Sequence, residues 1–337
     1  MGSLTGRRVI EWRRDVGKRD HGDMGEAGQI AGLERQRLVR HGLAAAVALA
    51  DRLGLPSSNP VVLSNRGNLL VRFPAAGLVA RVATLTAWTR REPFRWLARE
   101  VAVARHVAGR DGPVVPPARG VDPGPHWQDG FAISLFVYLD QTTPAPAPLP
   151  GDCGIALARF HEAARDCPAD LGYLSPATEQ VTDALAVIER EDLADAATVA
   201  ALRAAHERAL GEIAAAGEEH VVLHGDAHVG NLLAAGNLLA VSTGGWVWTD
   251  LEETSRGPAA WDLATLASRY DAAGAREAVA AYAAEAGTPA PSLESLAPFR
   301  RARALEAAAW LLCMAHLYPE RYAAAAQEQL TAVVSRR

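Results

Sequence analysis

Apolar and polar residues alternate in short runs over the first third of the chain and recur at helical spacing over most of the rest. From Leu33 to Leu53 the positions Leu38, Leu43, Val47 and Leu53 stand among alanines, which predicts an amphipathic helix ended by Gly54. Residues 1–32 scatter Arg, Lys, Asp and Gly without a sustained period and read as a poorly ordered extension. Apolar runs at Val61–Leu63, Leu69–Phe73 and Leu78–Val82 are separated by Ser64-Asn65-Arg66-Gly67-Asn68 and Pro74-Ala75-Ala76-Gly77. They predict a three-stranded antiparallel meander. A helix follows from Pro93, a favoured first-turn residue, through Trp96, Leu97, Val101 and Val103 to Gly109. After a link containing Pro113, Pro116 and Pro117, a short strand is expected near Arg119–Val121 and a turn over His126–Gly130. The continuous apolar run Phe131–Tyr138 reads as a buried strand that completes the sheet.

Past the proline-rich loop Gln141–Pro150 the pattern becomes helical, beginning with Ile155–His161 and continuing over about 178–190 and 194–217. His161, one residue after Phe160, reads as a histidine at the core edge that satisfies a hydrogen bond. Short apolar runs interrupt the helices at Val221–Leu223, Leu238–Val241 and Trp246–Trp248. Alanine-rich helices then follow near 262–272, 274–286, 293–316 and 319–335, with no fixed repeat.

The chemistry concentrates where the strands return. Val221–Leu223 leads into His224-Gly225-Asp226-Ala227-His228-Val229-Gly230-Asn231, and the Trp246–Trp248 run ends on Asp250. Residues at strand ends have little positional freedom, so polar groups there are held for chemistry. Two carboxylates and an amide suit a hard divalent cation such as magnesium together with one free carboxylate. Phosphoryl transfer needs that ion and a separate Asp against the attacking hydroxyl. The alternatives are an ordinary Gly-Asp turn, a helix cap at Asp262, and a soft-metal pair from His224 and His228. Gly225 and Gly230 oppose the helix that such a pair needs. The Ser64–Asn68 turn can lay backbone amides over phosphates or be a plain hairpin loop.

In these residues the chain resembles the aminoglycoside phosphotransferase and choline kinase-like enzymes, relatives of the protein kinases. The family's His-Gly-Asp followed after four residues by Asn is met by His224, Gly225, Asp226 and Asn231. Its later metal-binding Asp is met by Asp250, and its downstream Gly-Pro and Asp-Leu-Ala by Gly257-Pro258 and Asp262-Leu263-Ala264. The resemblance implies an α+β fold of two lobes, protein kinase-like, with a small antiparallel sheet lobe and a mostly helical lobe. The expected division is 33–138 for nucleotide binding and 139–337 for the catalytic loop, metal site and acceptor helices. ATP and Mg2+ are the implied cofactors. Asp226 would orient or deprotonate a hydroxyl, Asn231 and Asp250 would bind Mg2+, and His224 and Asp262 would brace the loop. Arg81 would stand where the family usually has a phosphate-binding Lys, paired with Glu100. The turn residues Ser64, Asn65, Gly67 and Asn68 would cover the phosphates, and the backbone of Phe136, Val137 and Tyr138 would meet adenine. The acceptor would be a hydroxyl of an aminoglycoside-like antibiotic, an amino alcohol or a sugar. A kinase-fold regulator without turnover, suggested by Arg81, and a metal-dependent hydrolase are the competing readings.

Bulk properties change little. Hydrophobic residues make up 49% and charged residues 22%, a normal globular balance. A net charge of −5 gives no encouragement to nucleic-acid binding and fits mildly with a cationic or neutral substrate. Cys153, Cys167 and Cys313 have no metal-ligand spacing and read as reduced packing residues. Without a membrane-length apolar run or a signal core, the expectation is a soluble, cytoplasmic protein.

Overall fold

The structure is a computed structural model that describes residues 24–141, 147–216, 220–235 and 245–334. Most of the expected N-terminal extension, and the run Leu238–Val241 expected as a strand, lie outside the described residues. Helix α1 spans Met24–Arg52 and so begins nine residues before the expected start at Leu33. It leads to strands β1 (Val61–Asn65), β2 (Leu69–Phe73) and β3 (Leu78–Val82), the expected meander. A one-turn helix, α2 (Thr86–Thr89), and then α3 (Pro93–Ala108) intervene before β4 (His126–Gln128) and β5 (Phe131–Val137). The five strands form one antiparallel sheet in the order β1-β2-β3-β5-β4.

Period-two alternation explains how this sheet is covered. Leu69, Val71 and Phe73 of β2 are buried while Leu70 and Arg72 between them are half-buried. Those buried residues join Ala80 and Val82 of β3, Ile133 and Leu135 of β5, and Ala45, Leu49 and Ala50 of α1 in one core. Leu97 of α3 packs separately with Ala83 and Ala132.

Two expectations in this region are corrected. Arg119–Val121 forms no strand; the link touches the sheet at the isolated bridge from Pro117 to Phe136. The fourth strand lies instead at His126–Gln128, where a turn was expected, and Asp129-Gly130 alone joins it to β5. Both turn residues are left-handed, with φ of 49° and 87°, as a two-residue hairpin connection requires. The prolines upstream remove ladder donors and displace the strand toward this turn.

The remainder is mostly helical: α4 (Pro150–Ala164), a π-helical segment Pro176–Gln180 running into α5 (Val181–Arg190), and α6 (Ala196–Ala216). After residues 220–258 come α7 (Ala260–Ala267), α8 (Ala272–Ala286), α9 (Ala297–Leu317) and α10 (Pro319–Val334). Between the two helical groups lie two small antiparallel ladders, β6 (His220–Leu223) with β9 (Ser255–Pro258), and β7 (Leu232–Ala234) with β8 (Trp246–Trp248). Leu157 and Phe160 of α4, Trp248 and Trp261 meet Phe299 of α9 in the core beneath them. Among the described residues no helix is long and apolar enough to cross a membrane.

Helices α4 and α8 cross at Gly154, where a Cβ would stand 2.1 Å from the Ala278 carbonyl oxygen and 2.9 Å from the Tyr282 nitrogen. Gly154→Ala gains about 1 kcal/mol of helix propensity but presses a methyl into backbone that no rotamer relieves. The expected outcome is a net loss of about 1–3 kcal/mol, measured by urea denaturation. Equal stability would show that the helices separate freely.

Candidate active site

The loop after β6 takes its shape from one buried carboxylate. Asp262, at the start of α7, accepts the backbone N–H of His224 at 2.7 Å and that of Gly225 at 2.9 Å, one on each oxygen. His161 of α4 holds the same carboxylate through Nε2 at 2.9 Å, and its Nδ1 meets the Tyr282 hydroxyl at 2.8 Å. His161 is therefore more than a core-edge residue: it orients the group that orients the loop. Trp261 adds an indole N–H to the Gly225 carbonyl at 2.7 Å. Gly225 has φ +92° and passes so close to Glu253 that a Cβ would lie 2.1 Å from that residue's carbonyl oxygen, so only glycine fits.

His224 is fully buried. Its Nδ1 accepts the Asp226 backbone N–H at 3.3 Å, which leaves Nε2 to donate to the Thr249 carbonyl at 3.1 Å. Burial lowers its pKa, so the ring stays neutral in that tautomer. His224 thus links the loop to the segment carrying Asp250. The soft-metal pairing of His224 with His228 has no support, since the former is spent on backbone and the latter accepts the Gly230 N–H through Nδ1 at 2.9 Å.

Asp226 sits half-buried at the loop's tip. Asn231 donates its amide to the Asp226 carbonyl at 3.0 Å and to Oδ2 at 3.3 Å, and His228 Nε2 lies 3.4 Å from Oδ2. The other oxygen, Oδ1, meets Arg303 of α9 at 2.5 Å. Burial alone would push this carboxyl up, but Arg303 and His228 override it and hold it well below the usual carboxylate range. Asp226 is therefore ionised and weakly basic, suited to orienting a hydroxyl by accepting its hydrogen bond.

Asp250 occupies the left-handed region at φ 64°, uncommon for a non-glycine residue and tolerated by Asp. It is placed at the floor of a cavity of about 340 Å³ between sheet and helices. Leu63, Leu70 and Val79 of the sheet line it, with Val114, Phe136, Val137, Tyr138, Leu139, Leu233 and Leu251. This apolar slot suits a flat ring, with charged groups at one end.

Those charges form a buried web. Arg81 reaches Asp250 at 2.7 Å, Glu100 at 3.3 Å and Glu252 at 3.5 Å, so the expected Arg81–Glu100 pair is present with two further partners. Burial pushes the Glu100 carboxyl up to about 8, further than Arg81 pulls it down. Arg81 itself loses charge preference to burial but regains more from Asp250, Glu100 and Glu252, and stays ionised. Arg90 joins Glu252 at 2.5 Å and Glu253 at 3.1 Å, and Gln180 accepts from it at 2.5 Å. Arg303 closes the web onto Glu253 at 3.0 Å and Glu306 at 3.2 Å.

The other expected cofactor residues are arranged differently. Neither Ser64, Asn65, Gly67 nor Asn68 is among the cavity's lining; only the strand residues flanking the turn, Leu63 and Leu70, reach it. The Gly67 carbonyl accepts N–H groups of Leu85 and Thr86, and the buried Asn68 side chain is bonded to Glu252 at 2.5 Å and Thr86 at 2.5 Å. Asn68 thus fastens the turn to the segment Leu251–Glu253. Phe136, Val137 and Tyr138 do line the slot, but the N–H of Val137 goes to Pro116 and that of Tyr138 to Gly77, so those amides are committed.

The donors present suit a hard divalent ion. Asn231 spends its amide nitrogen on Asp226, leaving its oxygen as an uncommitted hard acceptor, and Asp250 shares only Oδ1 with Arg81. No cluster of three His, Cys, Asp or Glu groups able to hold a metal occurs among the described residues. One carboxylate and one amide oxygen fit an ion that completes its shell with water and phosphate.

Arg303, Arg90, Glu253, Glu306 and Gln180 were not anticipated. In Arg300-Arg301-Ala302-Arg303 nothing local distinguishes the inward Arg from its exposed neighbours; the spacing of Arg303 and Glu306 by three positions was the available signal.

A family profile described as "phosphotransferase enzyme family" matches residues 57–299. No curated protein matches the sequence. An amicoumacin kinase in complex with AMP-PNP and Ca2+ shares 13% identity at a TM-score of 0.61, over 82% of this chain and 88% of its own. A choline/ethanolamine kinase family protein from Mesorhizobium loti shares 17% identity at 0.55, over 84% and 90%. A Plasmodium vivax ethanolamine kinase shares 11% identity at 0.55, over 82% and 81%. These similarities establish a kinase-like fold.

Removing the Asp262 carboxylate would leave two buried backbone donors without a partner. Asp262→Ala is expected to cost about 2–6 kcal/mol at roughly 1–3 per orphaned group, read from guanidinium unfolding. A loss below about 1 kcal/mol would show that water replaces the carboxylate there.

Proposed function

We propose that this chain, which belongs to the phosphotransferase enzyme family, transfers the γ-phosphoryl group of ATP to a hydroxyl of a small molecule. The observation that carries the reading is the meeting of Arg81 with Asp250 at 2.7 Å on the floor of an apolar slot, with Asp226 on the neighbouring loop. The nucleotide-analogue complex of the amicoumacin kinase supports ATP as the donor, and the hard donor pair supports Mg2+ as the companion ion.

In this reading Leu63, Val79, Phe136 and Leu251 enclose the nucleotide base. Arg81 turns its guanidinium from Asp250 to the phosphates while Glu100 keeps hold of its Nε. Asn231 and Asp250 would hold Mg2+, which supplies charge neutralisation on the phosphate oxygens when bound. Asp226 accepts the hydrogen bond of the acceptor hydroxyl and aims its oxygen at the phosphorus. A loose transition state makes little demand on the hydroxyl's acidity, so a weakly basic carboxylate suffices.

Asp226→Asn is expected to bind Mg·ATP nearly as well as the parent and lose about 10²–10⁴ in kcat. Retention of half the parent's turnover would remove Asp226 from its role, and a parent that binds Mg·ATP but releases no ADP with any acceptor would favour a regulator. Asp250→Ala is expected to abolish Mg2+-dependent nucleotide binding in calorimetry, and Asn231→Ala to weaken it less. Unchanged affinity in the Asp250 variant would shift the metal to Glu252.

A further inference from the structure

The slot read above as the nucleotide site has two unlike ends, and strand β7 measures the interval between them. Arg81 and Asp250 stand at the charged end. Asn231 is tied to the same end, its carbonyl accepting the Thr249 N–H at 2.9 Å. From Asn231 the chain runs along the slot's floor through Leu232 and Leu233 to Ala234. At about 3.3 Å per strand residue, Ala234 lies roughly 10 Å from Asn231.

Gln141 meets the floor at that distance. It follows the end of β5 by four residues and lines the slot. Its Nε2 donates to the Ala234 carbonyl at 3.0 Å and to the Asp140 carbonyl at 3.3 Å. A carbonyl oxygen only accepts, so both partners take the nitrogen and the amide has one orientation. Oε1 is left as an acceptor without a partner among the described residues. The carboxylates of the lining, Glu100 and Asp250, are both held by Arg81 at the charged end. Gln141 thus presents a neutral acceptor at the far end of the slot.

A nucleoside triphosphate with its base among Leu63, Val79, Phe136 and Leu251 and its phosphates at Arg81 carries its sugar between the two. The vicinal hydroxyls of a ribose are hydrogen-bond donors, and a 2′- or 3′-deoxy sugar lacks one of them. A site that bonds a hydroxyl discriminates against the analogue without it, because the protein's acceptor is then left unmatched. We propose that Gln141 is a specificity-determining residue whose Oε1 accepts a ribose hydroxyl, so that the protein selects ribonucleotides over deoxyribonucleotides as phosphoryl donors. The clip from Nε2 to Ala234 holds the amide in that orientation. This rests on the phosphotransfer reading above for the identity of the slot.

Calorimetry on the intact protein with Mg2+ tests it, with ATP, 2′-deoxy-ATP and 3′-deoxy-ATP as probes and with the parent compared to Gln141→Ala. The parent is expected to bind at least one deoxy analogue about three- to tenfold more weakly than ATP, as one hydrogen bond allows. Gln141→Ala is expected to lose that preference and bind ATP and the analogue within about twofold of each other. Loss of the clip alone would weaken all three nucleotides alike, whereas loss of the sugar contact weakens those that carry the hydroxyl, so the cycle separates the two. Equal affinity of the parent for all three, or a ribose preference that survives Gln141→Ala, would overturn the inference and leave phosphotransfer standing. A preference abolished by Gln141→Ala, together with no ADP release from any acceptor, would uphold the inference and contradict phosphotransfer. Absence of Mg·ATP binding in the parent would overturn both.

Discussion

A buried guanidinium is the central tie between the two halves of this protein. Arg81 leaves the third strand of the sheet, pairs with Glu100 on the adjacent helix, and ends on Asp250 in the helical half. Burying such a charge costs several kcal/mol unless good partners repay it. Three carboxylates within 3.5 Å do so. Asn68 on Glu252, and Arg90 on Glu252 and Glu253, repeat the same tie from the sheet side. The slot between the halves is consequently closed at its charged end by contacts that nucleotide phosphates and a divalent ion can exchange for their own.

Beneath that closure the loop from His224 to Asn231 is set by backbone satisfaction. Asp262 answers two amides, His224 answers a third and reaches across to Thr249, and Gly225 allows the chain to pass over Glu253. Few of these groups would meet a substrate, yet they fix where Asp226 stands. Asp226 then takes its electrostatic character from Arg303, contributed by a helix 77 positions further along the chain. Position and charge are thus supplied by separate elements.

How much of this was legible in the sequence follows from the range of each interaction. The meander, α3 and most helices were readable because period and punctuation are local, as Leu69, Val71 and Phe73 in β2 illustrate. The loop residues His224, Asp226 and Asn231 were readable because their spacing is itself the motif, and Arg81 with Glu100 because each sits on a predicted element. The Asp129-Gly130 hairpin was locally encoded and overlooked, the strand being sought among prolines upstream. Arg90 and Gln180 were beyond reach, and Arg303 left only its spacing to Glu306 as a signal. Their burial is decided by contacts across 50 to 163 positions, and an Arg on an alanine-rich helix looks the same whether it points to solvent or to Asp226. The Ser64–Asn68 turn shows the reverse case, since its polar residues fit a phosphate cover while the partners of Asn68 turn out to be Glu252 and Thr86.

The most direct measurement is a crystal structure of the protein with Mn2+ and AMP-PNP, with the metal located by its anomalous signal. The predicted result is a Mn2+ peak bonded to both the Asn231 amide oxygen and the Asp250 carboxylate, with Arg81 moved from Asp250 to the phosphates. A metal elsewhere, or a nucleotide outside the slot with the Arg81–Asp250 pair intact, would contradict phosphoryl transfer at this site.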